Sequence, residues 1–257
     1  MIAYLARRAI TALSIVVCLL VAPDLSRAET LVGSNVDNRV ILAFDVNADA
    51  LGAYVPEGWA PMAFPNGPLA GGNLLLVMID RLVQLNPEGQ PTSPPNSRYA
   101  VLAGLAAPDA GGPPSLFVYR IFASDMSANP YSNSVAAEVA RSSATTGPAN
   151  GGRTRTESWA VSYDGGTLAL ELSFVSGKAG WGPAEAFPHS AVNPDFSRIY
   201  RYDQLVDLAM STAVGKPLDG TVSLSSSIPE LTGIFNGAES LVAIMDVPVY
   251  TRQVFLP

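Results

Sequence analysis

The sequence predicts an α+β, β-rich domain in which a strongly curved antiparallel sheet, or a barrel-like closure of one, surrounds a cavity and carries a few short helices. Three observations lead there. Apolar runs of strand length recur along the chain, and 22 glycines and 21 prolines in 257 residues supply the breaks between them. Some of the longest runs are apolar on both faces, yet each carries isolated charges. The helical segments are too few and too irregular to cover a parallel sheet, which disfavours a doubly wound fold.

The chain opens with the three-part layout of a secretory signal. Arg7 and Arg8 supply positive charge, residues 10–22 are an almost unbroken apolar stretch, and Ser26-Arg27-Ala28 places small residues before a cleavage point. That stretch is shorter than the ~20 residues needed to cross a hydrocarbon core, so cleavage after Ala28 and no stable membrane insertion are expected. The expected division is a signal peptide over residues 1–28 and one domain over 29–257, located in the periplasm or secreted. The single cysteine, Cys18, lies inside the signal, so the mature domain has no disulfide, no thiolate metal site and no cysteine nucleophile. Twelve basic residues then face 21 acidic ones, and the net charge of −9 argues against nucleic acid as a partner.

Strands are expected at residues 39–46, 73–85, 98–106, 115–122, 156–163, 167–175, 220–224, 240–246 and 249–255, each rich in Val, Leu, Ile, Phe or Tyr. Asp164-Gly165-Gly166 between the fifth and sixth reads as a hairpin turn. Short helices are expected after Asn47, which would cap the first, and over residues 134–141 and 203–214. In the last of these, Leu205, Leu208 and Ala209 share one helical face.

Strand parity separates residues within these runs. Leu74, Leu76 and Met78 share a face with Asp80, and Leu75, Val77 and Ile79 share the other with Arg81. In residues 116–122, Arg120 stands on the face of Leu116, Val118 and Phe122. Sheets apolar on both sides are covered on both sides, and a buried face with single charges suggests a lined cavity.

Much familiar chemistry is absent. His189 is the only histidine, so a multi-imidazole metal site is excluded, and its loop setting between Pro188 and Ser190 suits a structural role. No Gly-x-Ser-x-Gly elbow, phosphate-cradling loop or dinucleotide fingerprint occurs. No cofactor is expected. The remaining candidates are charged or phenolic residues set in apolar strands: Asp80, Arg81, Arg98, Tyr99, Tyr119, Arg120 and Glu171. A charge in such a setting is costly unless paired or used, and a buried arginine to carboxylate pair is the structural alternative for each.

Three stretches resemble the acetoacetate decarboxylase-like superfamily. They are Leu51-Gly-Ala-Tyr-Val-Pro-Glu-Gly-Trp59, similar to the helix-to-turn segment of those proteins; Ser97-Arg98-Tyr99 opening a strand where they have a tyrosine that lines the cavity; and residues 242–255, similar to their closing strand. The resemblance implies a curved, barrel-like antiparallel sheet around an internal cavity, across nearly all of the mature chain. It also implies a Schiff-base lysine after a proline, but the comparable stretch here is Ala128-Asn-Pro-Tyr-Ser-Asn133, with Tyr131 in that place. Ala100 stands where the superfamily's glutamate would follow the tyrosine, and Lys178 and Lys216 lie in turn-rich segments.

Three functions follow as expectations. The first is an exported protein that holds a small, largely apolar organic acid, keto or carboxylic, with Arg98 and Arg120 on the anion and Tyr99 donating a hydrogen bond. The second is a lyase or isomerase of the same fold, with Asp80 or Glu171 as general base and Tyr99 or Tyr131 as acid. The third is an oligomeric interaction module, a homo-oligomer whose contacts cover the two-sided strands. The catalytic reading requires a carboxylate buried in the cavity with its pKa raised; the carrier reading does not.

Overall fold

The computed structural model describes residues 29–148 and 152–257; the expected signal peptide, with Cys18, lies outside the described residues. In chain order the strands are β1 (Thr30–Asp45), β2 (Trp59–Met62), β3 (Leu74–Leu85), β4 (Ser97–Pro108), β5 (Ser115–Ala123), β6 (Ser134–Ala136), β7 (Glu138–Thr146) and β8 (Thr154–Tyr163). They continue as β9 (Gly166–Val175), β10 (Gly180–Ala186), β11 (His189–Ser190), β12 (Ile199–Ser211), β13 (Gly220–Ser226) and β14 (Ser240–Leu256). One short helix, α1 (Ala48–Gly52), and a single 3-10 turn at Pro229–Leu231 complete the described elements.

The strands form two sheets. The larger runs β10-β12-β14-β1-β3-β4-β5-β11, with β2 added to β4 and β6 to β5; the smaller runs β13-β9-β8-β7. Pairing is antiparallel except where β6 and β11 lie parallel to β5. No pairing among the described residues joins β10 to β11, so the large sheet stays open and the barrel-like closure is not made.

Local chemistry accounts for the elements that were legible. The side chain of Asn47 accepts hydrogen bonds from the Asp49 and Ala50 amides at 2.8 and 3.1 Å and so caps α1. At the β8–β9 hairpin, Asp164 and Gly165 both take positive φ (50° and 74°), the backbone a two-residue turn of this hand requires.

Two expected helices are strands. Residues 134–141 span β6 and the start of β7, and residues 203–214 lie mostly in β12. The second misreading has a clear cause. The register of β12 against β14 shifts between Leu205 and Asp207 and again between Leu208 and Met210, and two such bulges convert a period of two into spacing that imitates a helix. Proline has a similar effect in β14, where Pro248 divides the expected strand. The strand runs through it because a bulge opposite residues 37–39 needs no ladder hydrogen bond there.

The large sheet therefore has two differently covered faces. Val40, Leu42, Phe44, Leu74, Leu76, Met78, Leu102 and Ile244 point to the small sheet and meet Trp159, Val161, Leu168, Leu170 and Phe174, all buried. Gly104 sits in this layer because a β-carbon there would come within 2.9 Å of the Tyr119 ring and 2.6 Å of the Asn73 carbonyl oxygen. The opposite, concave face carries the alternate residues of the same strands. Both faces of β3 are apolar because one meets a second sheet and the other a cavity.

Candidate functional site

The cavity on the concave face has a volume of about 410 Å³. Strand parity selects its wall: Leu75, Val77, Ile79 and Arg81 from β3; Tyr99, Val101 and Ala103 from β4; Asn35, Arg39 and Ile41 from β1. Across the bulge in β14 the inward positions change from odd to even, so Met245 is followed by Tyr250, Arg252 and Val254. From β12 come Tyr200, Tyr202 and Gln204, and Arg198 stands just before that strand.

Among the described residues, four guanidinium groups, those of Arg39, Arg81, Arg198 and Arg252, line this space, and no carboxylate does. One acid stands behind them. Asp37 is fully buried on β1; it accepts a hydrogen bond from Arg39 Nε at 3.1 Å and one from Arg81 Nε at 3.3 Å. Burial opposes its ionisation, but Arg39, Arg81 and Arg252 outweigh burial and hold its carboxyl below the usual range. Asp37 is therefore a fixed anion and a poor base. It compensates two arginines and leaves a net positive lining.

Arg252 and Arg198 make no ion pair among the described residues. Arg252 donates from Nε to Asn35 Oδ1 at 3.0 Å and lies 3.9 Å from the centre of the Tyr200 ring. Burial works against its charge, yet the phenols of Tyr200 and Tyr250 and the Asp37 carboxylate raise its pKa, so it remains a cation. Arg198 has a buried Nε without a hydrogen-bond partner. An unpartnered buried donor costs free energy unless a ligand or water meets it.

Tyrosines form the rest of the polar end. The Tyr131 and Tyr200 hydroxyls are hydrogen-bonded to each other. Burial first, then the Tyr200 neighbour, keeps the Tyr131 phenol protonated well above its ordinary pKa, although Arg252 and Arg198 pull the other way. The loop that presents Tyr131 is pinned at both ends. Asn133 donates to the Val118 carbonyl at 2.6 Å, Ser190 Oγ donates to the Tyr131 carbonyl at 2.6 Å, and Ser132 takes a left-handed φ of 58° between them. Tyr99 accepts from Ser97 Oγ at 2.6 Å and from Arg81 at 3.3 Å.

Of the six site candidates chosen from sequence, Tyr99 and Tyr131 reach the cavity; Asp80, Arg98, Arg120 and Glu171 do not. Asp80 shares the even face of β3 with Met78, and its directly opposed neighbour Arg98 pairs with it at 3.0 Å. Asp80 also receives Arg141 at 2.8 Å, which makes it part of the contact between the sheets. Arg120 was misplaced by a bulge: the β4–β5 register shifts between Leu102 and Ala103, so Val118 and Ile121 face inward while Arg120 turns to Glu230, with Nε 3.0 Å from Oε1. Glu171 is exposed on the small sheet and accepts from Ser158 at 2.7 Å. Arg81, noted for its parity, does line the cavity, whereas Tyr119 packs in the core with its hydroxyl on the Leu105 carbonyl. His189 forms the short β11 and places Nδ1 2.9 Å from the Pro194 carbonyl oxygen.

Arg39, Arg198, Arg252, Tyr200, Tyr202 and Tyr250 were missed. Tyr200 and Tyr202, and Tyr250 and Arg252, each stand two residues apart on one strand face, a signal that becomes visible only once the strands are placed. Neither lysine lines the cavity: Lys178 is exposed, and Lys216 donates to the Leu208 carbonyl beside Asp207.

No protein-family model and no curated protein matches the sequence. Solved structures do match it in shape. The enduracididine biosynthesis enzyme MppR with HEPES buffer bound superposes with a TM-score of 0.58 at 13% identity, covering 92% of this chain and 90% of that one. MppR complexed with pyruvate gives 0.54 at 13% identity, over 91% of each chain. An acetoacetate decarboxylase-like enzyme from Sphingomonas wittichii RW1 gives 0.53 at 12% identity, over 88% of this chain and 91% of that one. Two sheets packed face to face, a cavity on the open side of the larger one, and these superpositions over nine-tenths of the chain lead to one conclusion: the protein has the acetoacetate decarboxylase-like fold.

Proposed function

We propose that this is an exported protein that binds a small, largely apolar organic acid, keto or carboxylic, in the cavity of its large sheet. The observation that carries this reading is the lining of the cavity: four arginines against one carboxylate that is already engaged, above walls of Val, Leu, Ile and Met. Arg252 and Arg198 hold the carboxylate, Tyr131 and Tyr200 share a proton donor with it, and Tyr99 with Arg81 borders it. The pyruvate complex of MppR, a protein of the same fold, supports a small oxo acid as one member of the ligand class. Residues 1–28 support delivery outside the cytoplasm.

A lyase or isomerase is the second reading, and the hydrogen-bonded Tyr131–Tyr200 pair favours it as a proton donor. A general base is harder to find. The one described carboxylate with a clearly raised pKa, Asp246, faces the small sheet, and among the described residues no lysine amine for Schiff-base chemistry reaches the cavity. Oligomerisation is not required to explain the two-sided strands, since one face packs on the small sheet and the other lines the cavity.

Native mass spectrometry of the mature protein, followed by denaturing extraction, tests the proposal. A stoichiometric organic acid is the expected release. An empty protein whose melting temperature is unmoved by a panel of keto and alkyl acids would overturn it.

A further inference from the structure

The cavity is graded along the strand axis. Register places its lining in tiers: Asn35 beside Gln84 and Arg252; Arg81 and Tyr250 on either side of Asp37; Arg39 beside Ile79, itself beside Tyr99; Ile41 beside Val77 and Met245, with Val77 beside Val101; then Leu75 beside Ala103. Polar groups occupy the first tiers. Below Tyr99 the lining is apolar except for Ser134, which stands beside Ile121 at the level of Val101, and Phe64, Leu69 and Leu116 also line the cavity. Four residues of strand separate the Arg39 tier from the Leu75 tier, so the slot extends about 13 Å beyond the charged groups at ~3.3 Å per residue, walled mainly by hydrocarbon. A ligand as small as acetate or pyruvate would engage the arginines and leave that wall uncovered.

Resting on the organic-acid reading above, we infer that the ligand is a medium-chain monocarboxylic acid whose head lies among Arg198, Arg252 and Tyr200 and whose alkyl chain runs down the Ile41–Val77–Val101 wall to Leu75 and Ala103. Size agrees with shape. A volume of about 410 Å³, filled at roughly 30 Å³ per non-hydrogen atom as in a liquid, holds on the order of a dozen such atoms, the size of an acid of about eight to ten carbons. Apart from Ser134, a polar group along the chain would meet no polar side chain below Tyr99 among the described residues, so chains hydroxylated away from the Ser134 level are disfavoured against unsubstituted or terminally branched ones.

Calorimetric titration of the delipidated protein with straight-chain acids from two to twelve carbons, below their micellar concentrations, reads the inference directly. Affinity should rise about fourfold per added methylene, reach its maximum near eight to ten carbons, and fall beyond. Octan-1-ol should bind at least tenfold more weakly than octanoate. Ala103→Phe should move the maximum several carbons shorter; the wild-type series is decisive even where that variant does not fold. Acetate, pyruvate and octanoate binding with equal affinity would sink the chain-length inference while leaving the organic-acid reading in place. Failure of every acid to bind would overturn both.

Discussion

The two faces of the large sheet use the same residue types to opposite ends. On the side of the small sheet, Arg141 lies 2.7 Å from Glu157 and 2.8 Å from Asp80, and Arg155 lies 2.6 Å from Glu157 and 2.9 Å from Asp246, while Arg98 closes on Asp80. Every arginine there has a carboxylate, and the Trp159 indole donates to Glu157 at 3.1 Å. On the cavity side the single carboxylate of Asp37 pairs with Arg39 and Arg81, and Arg198 and Arg252 have no carboxylate among the described residues. Buried ion pairs that cancel make a structural joint. A buried surplus of positive charge instead makes a site that an anion completes, which is why arginine content alone did not distinguish them.

The comparison is most severely tested at Glu157, which is fully buried in the side chain. Glu157→Ala leaves Arg141 and Arg155 without their shared partner and should cost about 3–5 kcal/mol in urea unfolding. A loss below 1 kcal/mol would show that the inter-sheet charges are not a joint. On the opposite face Arg252→Met should weaken carboxylate binding by about a hundredfold, some 3 kcal/mol, in calorimetry. Unchanged affinity would remove Arg252 from the site.

Asp246 sharpens the contrast because its environment is imperfect. Burial pushes its carboxyl up to about 6, against the pull of Arg155, with Glu157 and Asp207 adding to the rise. A raised acid favours the folded state when protonated, so its penalty is absent below an unfolded pKa near 3.8, grows as pH rises to about 6, and is constant above. Asp246→Asn should therefore stabilise the protein by about 1–2 kcal/mol at pH 8, within a ceiling of about 3 kcal/mol set by the shift, and by nothing near pH 3.5. A pH-independent difference would contradict this account. The smallest effect is expected at Arg98 and Glu171, which lie outside the cavity. Arg98→Met and Glu171→Gln should each alter carboxylate affinity less than twofold, and a tenfold loss in either would place the ligand elsewhere.

By itself the sequence determined what short-range chemistry determines. The β-rich class follows from the apolar runs, the hairpin turn from Asp164-Gly165, and the α1 cap from Asn47. The resemblance that named the fold was legible too, as was the parity of β3 and β4 that sends Arg81 and Tyr99 into the cavity and Asp80 away from Arg81. What only the tertiary structure decided lies beyond that range. Bulges in β5, β12 and β14 each change which residues face inward, and a local pattern of apolar spacing does not reveal where a ladder slips. The division into two sheets, and the convergence of Arg39 on β1 with Arg198 and Arg252 from more than 150 residues further along, depend on β14 returning to pair with β1. That pairing is a property of the whole chain, since the free energy that selects it comes from burying both faces of one sheet at once.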